Sequence, residues 1–240
     1  MEIATYKLLE ELKSYPTFSV NDLSLLTGQE ADYSKIVLHR LSKKGLVYRL
    51  KRDSYTVHSD PLLFASSLIW PSYISLWYAF RFHDLTEQIP YRLDVLTPAA
   101  NRIEQMRFKG YLISFLKITE KILFGYGKNR ISDLDVFMAE PEKAIVDAIV
   151  LKKISIPEIV YVIDQNNEKL SIDKLIEMMI RTGSKAGAKR LGWILDHLEL
   201  IRSEELHDRI YQTITPLESS FSPEGKKDPY WRLIVNIKEE

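Results

Sequence analysis

The chain has 240 residues, of which 45% are hydrophobic and 28% charged, and its formal net charge is zero. This composition is typical of a folded globular protein and excludes global disorder. The absence of cysteine excludes disulfides and thiolate zinc sites and is compatible with a reducing compartment. Residues 62–80 are uncharged over the length of a membrane span, but Pro71 at their centre favours two short buried helices. Since the charged first residues are also unlike a signal peptide, we expect a soluble, cytoplasmic protein without a membrane segment.

Three helices are predicted in the first 45 residues. Leucines at helical spacing predict a helix over 4–12. Ser19 is a suitable N-cap for a short second helix that ends at Gly28. The third helix begins after Asp32 and ends at Gly45, because glycine is the residue most often found just past a helix C-terminus.

Two short strands follow these helices. They are predicted over 46–50 and 54–58, with a charged turn at 51–53. Three helices and a β-hairpin, with the second and third helices tightly joined, is the element order of a winged helix-turn-helix. We therefore predict such a DNA-binding domain in residues 1–59.

The zero net charge hides a local asymmetry in this region. Residues 1–32 contain two basic and six acidic residues, a balance of −4. Residues 33–58 contain seven basic residues and one acidic residue, a balance of +6. A short basic block in an otherwise neutral protein is typical of a local nucleic-acid footprint.

The third helix shows two different faces at 100° per residue. Leu38 and Leu41 lie on one side, where they would pack on the first two helices. The opposite face mixes cations with aromatic and apolar side chains, as helices that bind phosphates and contact base edges do. A solvated helix with a basic C-terminus, or a protein-interaction module, are the alternatives. We predict double-stranded DNA as the partner, contacted by Tyr33, Ser34, Lys35, Ile36, His39, Arg40, Lys43, Lys51 and Arg52.

Residues 60–240 are predicted to form a larger α+β domain with a helical C-terminal portion, so that the whole chain belongs to the α+β class. A further helix should begin at Pro141, since proline is favoured at the first helical position. The other helices are expected at 61–69, 73–83, 157–164, 171–182 and 185–198, and strands at 91–97, 111–118, 135–139 and 231–237.

A group of acidic residues is the best candidate for an enzymatic site. A metal-dependent nuclease needs carboxylates that converge on a cation, with a lysine near the attacking water. The group has no acid-x-Lys pair on a predicted strand, and its adjacent helical members point in different directions. Lys143 is instead spaced to form an ordinary i,i+4 pair with Asp147. The sequence GYGK at 125–128 lacks the spacing of a phosphate-binding loop and follows a predicted strand, so we expect a hairpin turn there. We predict no catalytic residue, metal or cofactor for the group Asp133, Asp135, Glu140, Glu142 and Lys143.

A second basic segment has the sequence TGSKAGAKR, at 182–190. Ser184 is a suitable cap for the helix that follows, and the simplest interpretation is a turn between helices with solvated basic residues. The alternative is a patch that binds phosphate or a partner through Lys185, Lys189 and Arg190.

Taken in order along the chain, five segments resemble the AbiEi-type antitoxins, which are transcriptional regulators of type IV toxin–antitoxin systems. The first segment, GLVYRLKRDSYTV, resembles the wing of that family and has Asp53 where the family usually has glycine. Asp tolerates the left-handed backbone conformation better than most residues, so we expect the turn to form. The five segments are GLVYRLKRDSYTV, DPLLFASSLIWPSYISLWYAFRFHDLTEQIP, AEPEKAIVDAI, RLGWIL and WRLIVNI.

The resemblance implies a function that composition and spacing do not. Antitoxins of this family repress their own promoter and counteract a nucleotidyltransferase-like toxin encoded beside them. Two other hypotheses stay open, a winged-helix regulator with a ligand-sensing second domain and a metal-dependent DNA-processing enzyme. The sequence leaves open the operator, the formation of a homodimer, and whether the toxin is contacted directly.

Overall fold

The computed structural model describes residues 2–99 and 104–237. It shows an α+β protein, as predicted. In the part of the chain that is described, no helix is both long and apolar enough to cross a membrane. The helices are α1 (Glu2–Leu12), α2 (Val20–Thr27), α3 (Ala31–Lys43), α4 (Trp77–Phe82), α5 (Pro141–Leu151), α6 (Ile156–Gln165), α7 (Ile172–Thr182), α8 (Lys185–His197) and α9 (Glu204–His207). The strands are β1 (Tyr48–Lys51), β2 (Ser54–Thr56), β3 (Tyr73–Ser75), β4 (Arg92–Thr97), β5 (Gln105–Phe108), β6 (Tyr111–Lys117), β7 (Tyr126–Ile131), β8 (Leu134–Ala139), β9 (Thr215–Pro216), β10 (Lys226–Asp228) and β11 (Leu233–Val235).

The described residues divide into two compact units. The first contains residues from 1–74, 91–117 and 128–138, and the second contains residues from 75–90, 118–127 and 139–240. The N-terminal 59 residues therefore share a compact unit with strands that follow later in the chain. The boundary between residues 59 and 60 stays a prediction.

Local sequence signals set both ends of α2. The Ser19 hydroxyl accepts a hydrogen bond from the Asp22 backbone N–H, and the Asp22 carboxylate accepts one from the Ser19 backbone N–H at 2.7 Å. This reciprocal capping box satisfies amide donors that a helix start otherwise leaves unpaired. Gly28 ends the helix with a φ of 67°, so the predicted cap and end of this helix are confirmed.

The first three helices and the hairpin share one apolar core. Between α1 and α2, Phe18 pairs with Tyr55 of β2 through two backbone hydrogen bonds of 2.9 and 2.8 Å. The two rings also stack, with centroids 6.2 Å apart. The hairpin is thereby connected to the segment that precedes α2. The buried residues of this core are Leu12, Phe18, Leu23, Leu38, Leu41 and Val47.

A six-stranded sheet has the order β5-β6-β4-β3-β8-β7. Strands β4 and β6 are parallel, β5 and β6 are antiparallel, and β3 pairs with β8 in parallel. Strand β7 occupies an edge and includes most of the GYGK segment, for which the sequence predicted a hairpin turn. That prediction is wrong because residues 126–131 are extended.

Residues 61–83 differ from the two predicted helices. Residues 61–69 contain two short 3₁₀ turns, and residues 73–75 form a strand in which Ile74 pairs with Met138. All three strand residues are buried. Pairing within the sheet therefore determines their conformation, although the local sequence pattern favours a helix. The helix predicted to begin at 73 begins only at Trp77.

The second unit is mainly helical and also contains a small sheet of order β10-β11-β9. Trp231 is fully buried next to α8. A Cβ atom at Gly192 would lie 2.1 Å from the Trp231 ring, so only glycine permits this close approach of helix and indole.

A buried ion pair lies in α5. The Lys143 ammonium binds the Asp147 carboxylate, and the Ser75 hydroxyl donates a second hydrogen bond to Asp147 at 2.8 Å. The sequence suggested an ordinary i,i+4 pair, but both side chains are fully buried. Burial lowers the pKa of Lys143, while the adjacent Asp147 charge acts in the opposite direction.

We predict that Asp147→Ala lowers the free energy of unfolding by about 3 to 5 kcal/mol, because a buried ammonium then loses its carboxylate. The matched control is Asp135→Ala, since Asp135 pairs with Lys128 and Arg130 at the surface and exposed pairs contribute little. Urea unfolding of both variants measures the difference. Equal losses would contradict the importance of the buried pair.

Candidate nucleic-acid interface

Helix α3 is fixed in the first unit by one buried face. Ser34, Leu38 and Leu41 are buried, and the two leucines belong to the apolar core. These positions lie one turn apart on the same side of the helix. The opposite side is therefore held at the surface by the packing of the leucines.

Five predicted contact residues lie on this outward side. Tyr33 and Ile36 are 50% and 48% exposed, although both are large and partly or wholly apolar. His39, Arg40 and Lys43 follow on the same side and are exposed. The prediction from the helical period that these five side chains are exposed is therefore confirmed.

Ser34 is different, and its assignment as a contact side chain is wrong. It is 1% exposed, and its hydroxyl has no hydrogen-bond partner among the described residues. Its position on the same helical side as Leu38 and Leu41 explains the burial, since 34, 38 and 41 follow the i, i+4, i+7 pattern of a core face. This signal was present in the sequence.

The cations of α3 differ in their surroundings. Lys35 forms an exposed ion pair with Asp32 at 2.9 Å, and this hydrogen-bonded carboxylate raises the pKa of Lys35. Within the described residues, the side chains of Arg40, Lys43 and Lys44 form no ion pair or hydrogen bond. The positive charge available to an external partner therefore lies towards the C-terminal end of α3.

The hairpin also has one cation that is hydrogen-bonded within the chain and two exposed cations that are not. The Lys51 ammonium donates a hydrogen bond to the Leu68 carbonyl oxygen at 2.5 Å and is partly buried. Its predicted role as a free phosphate-binding side chain at the tip therefore does not fit its observed contact. Arg49 and Arg52 are exposed, and neither side chain has a hydrogen bond or ion pair within the described chain.

Asp53 connects the hairpin turn to α2. Its φ is 52°, in the left-handed region, which aspartate tolerates better than most residues do. Its carboxylate accepts a hydrogen bond from the Val20 backbone N–H at 3.0 Å. This hydrogen bond connects the turn to the first residue of α2. Glycine has no side chain that could form it.

The hairpin is fixed on another side by the turn between β5 and β6. Lys109 donates a hydrogen bond to the Tyr48 hydroxyl at 2.7 Å and lies 4.1 Å from the centre of its ring. Phe108 contacts Tyr48 edge to face with centroids 5.6 Å apart, and it contacts Phe64 at 5.0 Å. Such aromatic contacts add to the stability gained from burial, so the hairpin has a defined position within the first unit.

The second basic segment does not form the alternative patch. Lys189 is fully buried and donates hydrogen bonds to the carbonyl oxygens of Thr213 and Arg232. Arg190 is 5% exposed and donates to the Leu217 carbonyl oxygen at 2.8 Å. Only Lys185 of the predicted three is exposed. Burial, together with two neighbouring guanidinium groups, lowers the pKa of Lys189 to about 8.

The acidic candidates lie in separate interactions. Asp135 binds two cations of β7, and Glu140 and Glu142 bind Lys174 at 2.7 and 3.3 Å. Asp133 lies in the turn between β7 and β8 with a φ of 64°. No group of three or more His, Asp or Glu side chains that could hold a metal occurs in the described ranges.

The second unit has surface grooves of the size that a ligand-sensing function would need. One groove of about 490 Å³ is lined by Met179, Ser184, Lys185, Asp208 and Arg209, among others. Its lining combines apolar side chains with side chains of both charges and favours no particular ligand. The ligand-sensing hypothesis stays a prediction.

We predict that Asp53→Ala destabilises the protein by about 1 to 2 kcal/mol, because it removes a cap-type hydrogen bond and because alanine tolerates the left-handed conformation less well than aspartate does. Asp53→Asn should be close to wild type, since its amide oxygen can accept the same bond and Asn tolerates this conformation. Chemical denaturation compares the two. Equal destabilisation would show that the Val20 contact has no energetic importance.

Comparisons with known proteins give a structural likeness alone. No protein-family model and no curated protein matches the chain. Among solved structures, the crystal structure of the Rv2827c protein from Mycobacterium tuberculosis is similar, with a TM-score of 0.64 and 16% sequence identity. The match covers 91% of this chain and 85% of that chain. The likeness therefore concerns the fold of nearly the whole chain and carries no functional conclusion.

Proposed function

We propose that this chain is a DNA-binding transcriptional regulator. In this proposal, residues 1–59 form a winged helix-turn-helix, with α3 as the recognition helix and the β1–β2 hairpin as the wing. The observation that carries the proposal is a set of exposed cations on these two elements whose side chains have no ion pair or hydrogen bond in the described chain. They are Arg40, Lys43, Lys44, Arg49 and Arg52.

The distribution of these cations favours DNA over a merely solvated surface. Basic residues at the end of α3 are expected for any helix, because they interact favourably with its dipole. That explanation does not apply to Arg49 and Arg52, which are on a different element. Cations on a helix and on the hairpin beside it are the arrangement by which winged helices contact neighbouring phosphates.

The exposed residues between the cations also favour a nucleic acid. Tyr33, Ile36 and His39 are exposed on the outward side of α3. Cations alone neutralise phosphates without distinguishing sequences, whereas polar and apolar side chains on the same face can contact base edges. This mixture supports sequence-specific binding of duplex DNA.

The antitoxin part of the proposal rests on the resemblance to the AbiEi-type family. We infer that the protein represses its own promoter and counteracts a nucleotidyltransferase-like toxin encoded beside it. A reading frame for such an enzyme next to the gene would be the simplest support. The residues beyond 59 would then provide neutralisation, with or without direct contact with the toxin.

We predict duplex binding that weakens with salt, with a log–log slope of roughly −3 to −4 if three or four phosphates are contacted at once. Arg40→Ala, Lys43→Ala or Arg52→Ala should each make the slope less negative by about 1, because each change removes one contact. Fluorescence anisotropy at four or five salt concentrations measures these slopes.

Two controls accompany these variants. Lys153→Ala removes an exposed cation of the second unit, and Ser34→Ala removes a buried hydroxyl from α3 itself. Both should leave the slope unchanged. A wild-type slope near zero, equal affinity for single strands, or an equal effect of Lys153→Ala would contradict the proposed interface.

We also predict that repression and neutralisation can be separated in the full-length chain. Arg40→Ala combined with Arg52→Ala should release a promoter–reporter fusion, because it removes phosphate contacts from both elements. The same variant, expressed from an unrelated promoter, should still protect cells that produce the toxin.

The full chain is the right material for this test, since Tyr48 and Lys51 of the hairpin contact residues 68, 108 and 109. Growth at matched protein levels is the measurement, with Lys153→Ala as the control. Loss of protection together with loss of repression would show that the two functions share the same surface.

A further inference from the structure

Ile36 has an unusual place on α3. It is 48% exposed, and at about 100° per residue it lies opposite the buried face formed by Ser34, Leu38 and Leu41. It therefore occupies the middle of the outward side. One turn further along, His39 and Arg40 lie on either side of it and are exposed.

This apolar side chain is not an isolated exposed residue. Tyr33, one turn earlier, is 50% exposed, so the two form a short apolar strip that adjoins the exposed cations Arg40 and Lys43 on the same side of the helix. Single exposed hydrophobic residues need no explanation, but a strip beside exposed cations on one helix face favours a partner that is both anionic and locally apolar. A polyanion with apolar groups has both properties.

Duplex DNA presents one apolar group on its base edges in the major groove, the 5-methyl group of thymine. Aliphatic side chains recognise thymine by packing against this methyl group. Ile36 also has few accessible side-chain conformers on a helix, because it is branched at Cβ. Ordering it against a base therefore costs little conformational entropy.

We propose that Ile36 contacts the 5-methyl group of a thymine in the bound operator and so determines the base at that position. The proposal rests on the DNA-binding function proposed above and extends it to one base. Tyr33 lies further towards the side of the helix, where its hydroxyl group suits a phosphate oxygen. The thymine contact is therefore assigned to Ile36.

The test uses the full-length protein and a duplex selected by that protein from a random pool. Each thymine in the selected duplex is replaced in turn by deoxyuridine, which removes only the methyl group. One position should lose about 3- to 5-fold in affinity with the wild-type protein, the size expected when a methyl group is no longer buried.

Three variants identify the side chain responsible. Ile36→Ala should bind thymine and deoxyuridine at that position equally, whereas Ile36→Val should keep part of the preference because it keeps the branched Cβ. Ile89→Ala is the matched control, since Ile89 is an 87% exposed isoleucine of the second unit. It should retain the full preference.

The outcomes distinguish this inference from the proposed function. If a duplex is selected but every thymine tolerates deoxyuridine, or if Ile36→Ala keeps the preference, the inference is overturned while DNA binding stands. If Ile36→Ala instead lowers the molar mass in solution, the strip serves self-association and the inference is again overturned. If no duplex is selected at all, the proposed function fails and the inference fails with it.

Discussion

The two backbone hydrogen bonds between Phe18 and Tyr55, at 2.9 and 2.8 Å, connect the segment before α2 to the second strand of the hairpin. The Asp53 carboxylate adds a third connection, to the first amide of α2. Because α2 and α3 share the core around Leu23 and Leu38, these bonds define the position of the hairpin relative to α3. A surface made of residues from both elements depends on that geometry, since contacts with a rigid duplex require fixed separations between side chains.

Charge counted along the sequence and charge available at the surface are different quantities. The balance of +6 over residues 33–58 includes Lys35, which is paired with Asp32 just outside that range, and Lys51, which binds the Leu68 carbonyl oxygen. Once these two are set aside, the cations of the proposed interface lie towards the C-terminal end of α3 and on the hairpin. A counterion-release slope depends on these available charges and not on the total.

Local sequence signals were informative where local rules decide the structure. Residue preferences at helix ends predicted the cap at Ser19 and the end of α2 at Gly28, and the helical period predicted the outward side of α3. Local signals failed for residues 73–75, whose conformation is set by pairing with β8 across more than sixty residues of sequence. They failed for Lys189 as well, since the carbonyl groups that bind this lysine belong to Thr213 and Arg232. Contacts of that kind leave no short-range pattern.

The same limit explains why basic segments of similar appearance have different roles in this chain. Lys143, Lys189 and Arg190 are buried in the second unit and bind a carboxylate or backbone carbonyl oxygens. A buried cation without such partners would be strongly destabilising, so these three are committed to the fold. Arg40 and Arg52 have no comparable intrachain partner in the described residues and lie on the surface. The neutral total of the chain therefore includes buried cations that are bound within the second unit and exposed cations of the first unit, which the proposed interface assigns to DNA phosphates.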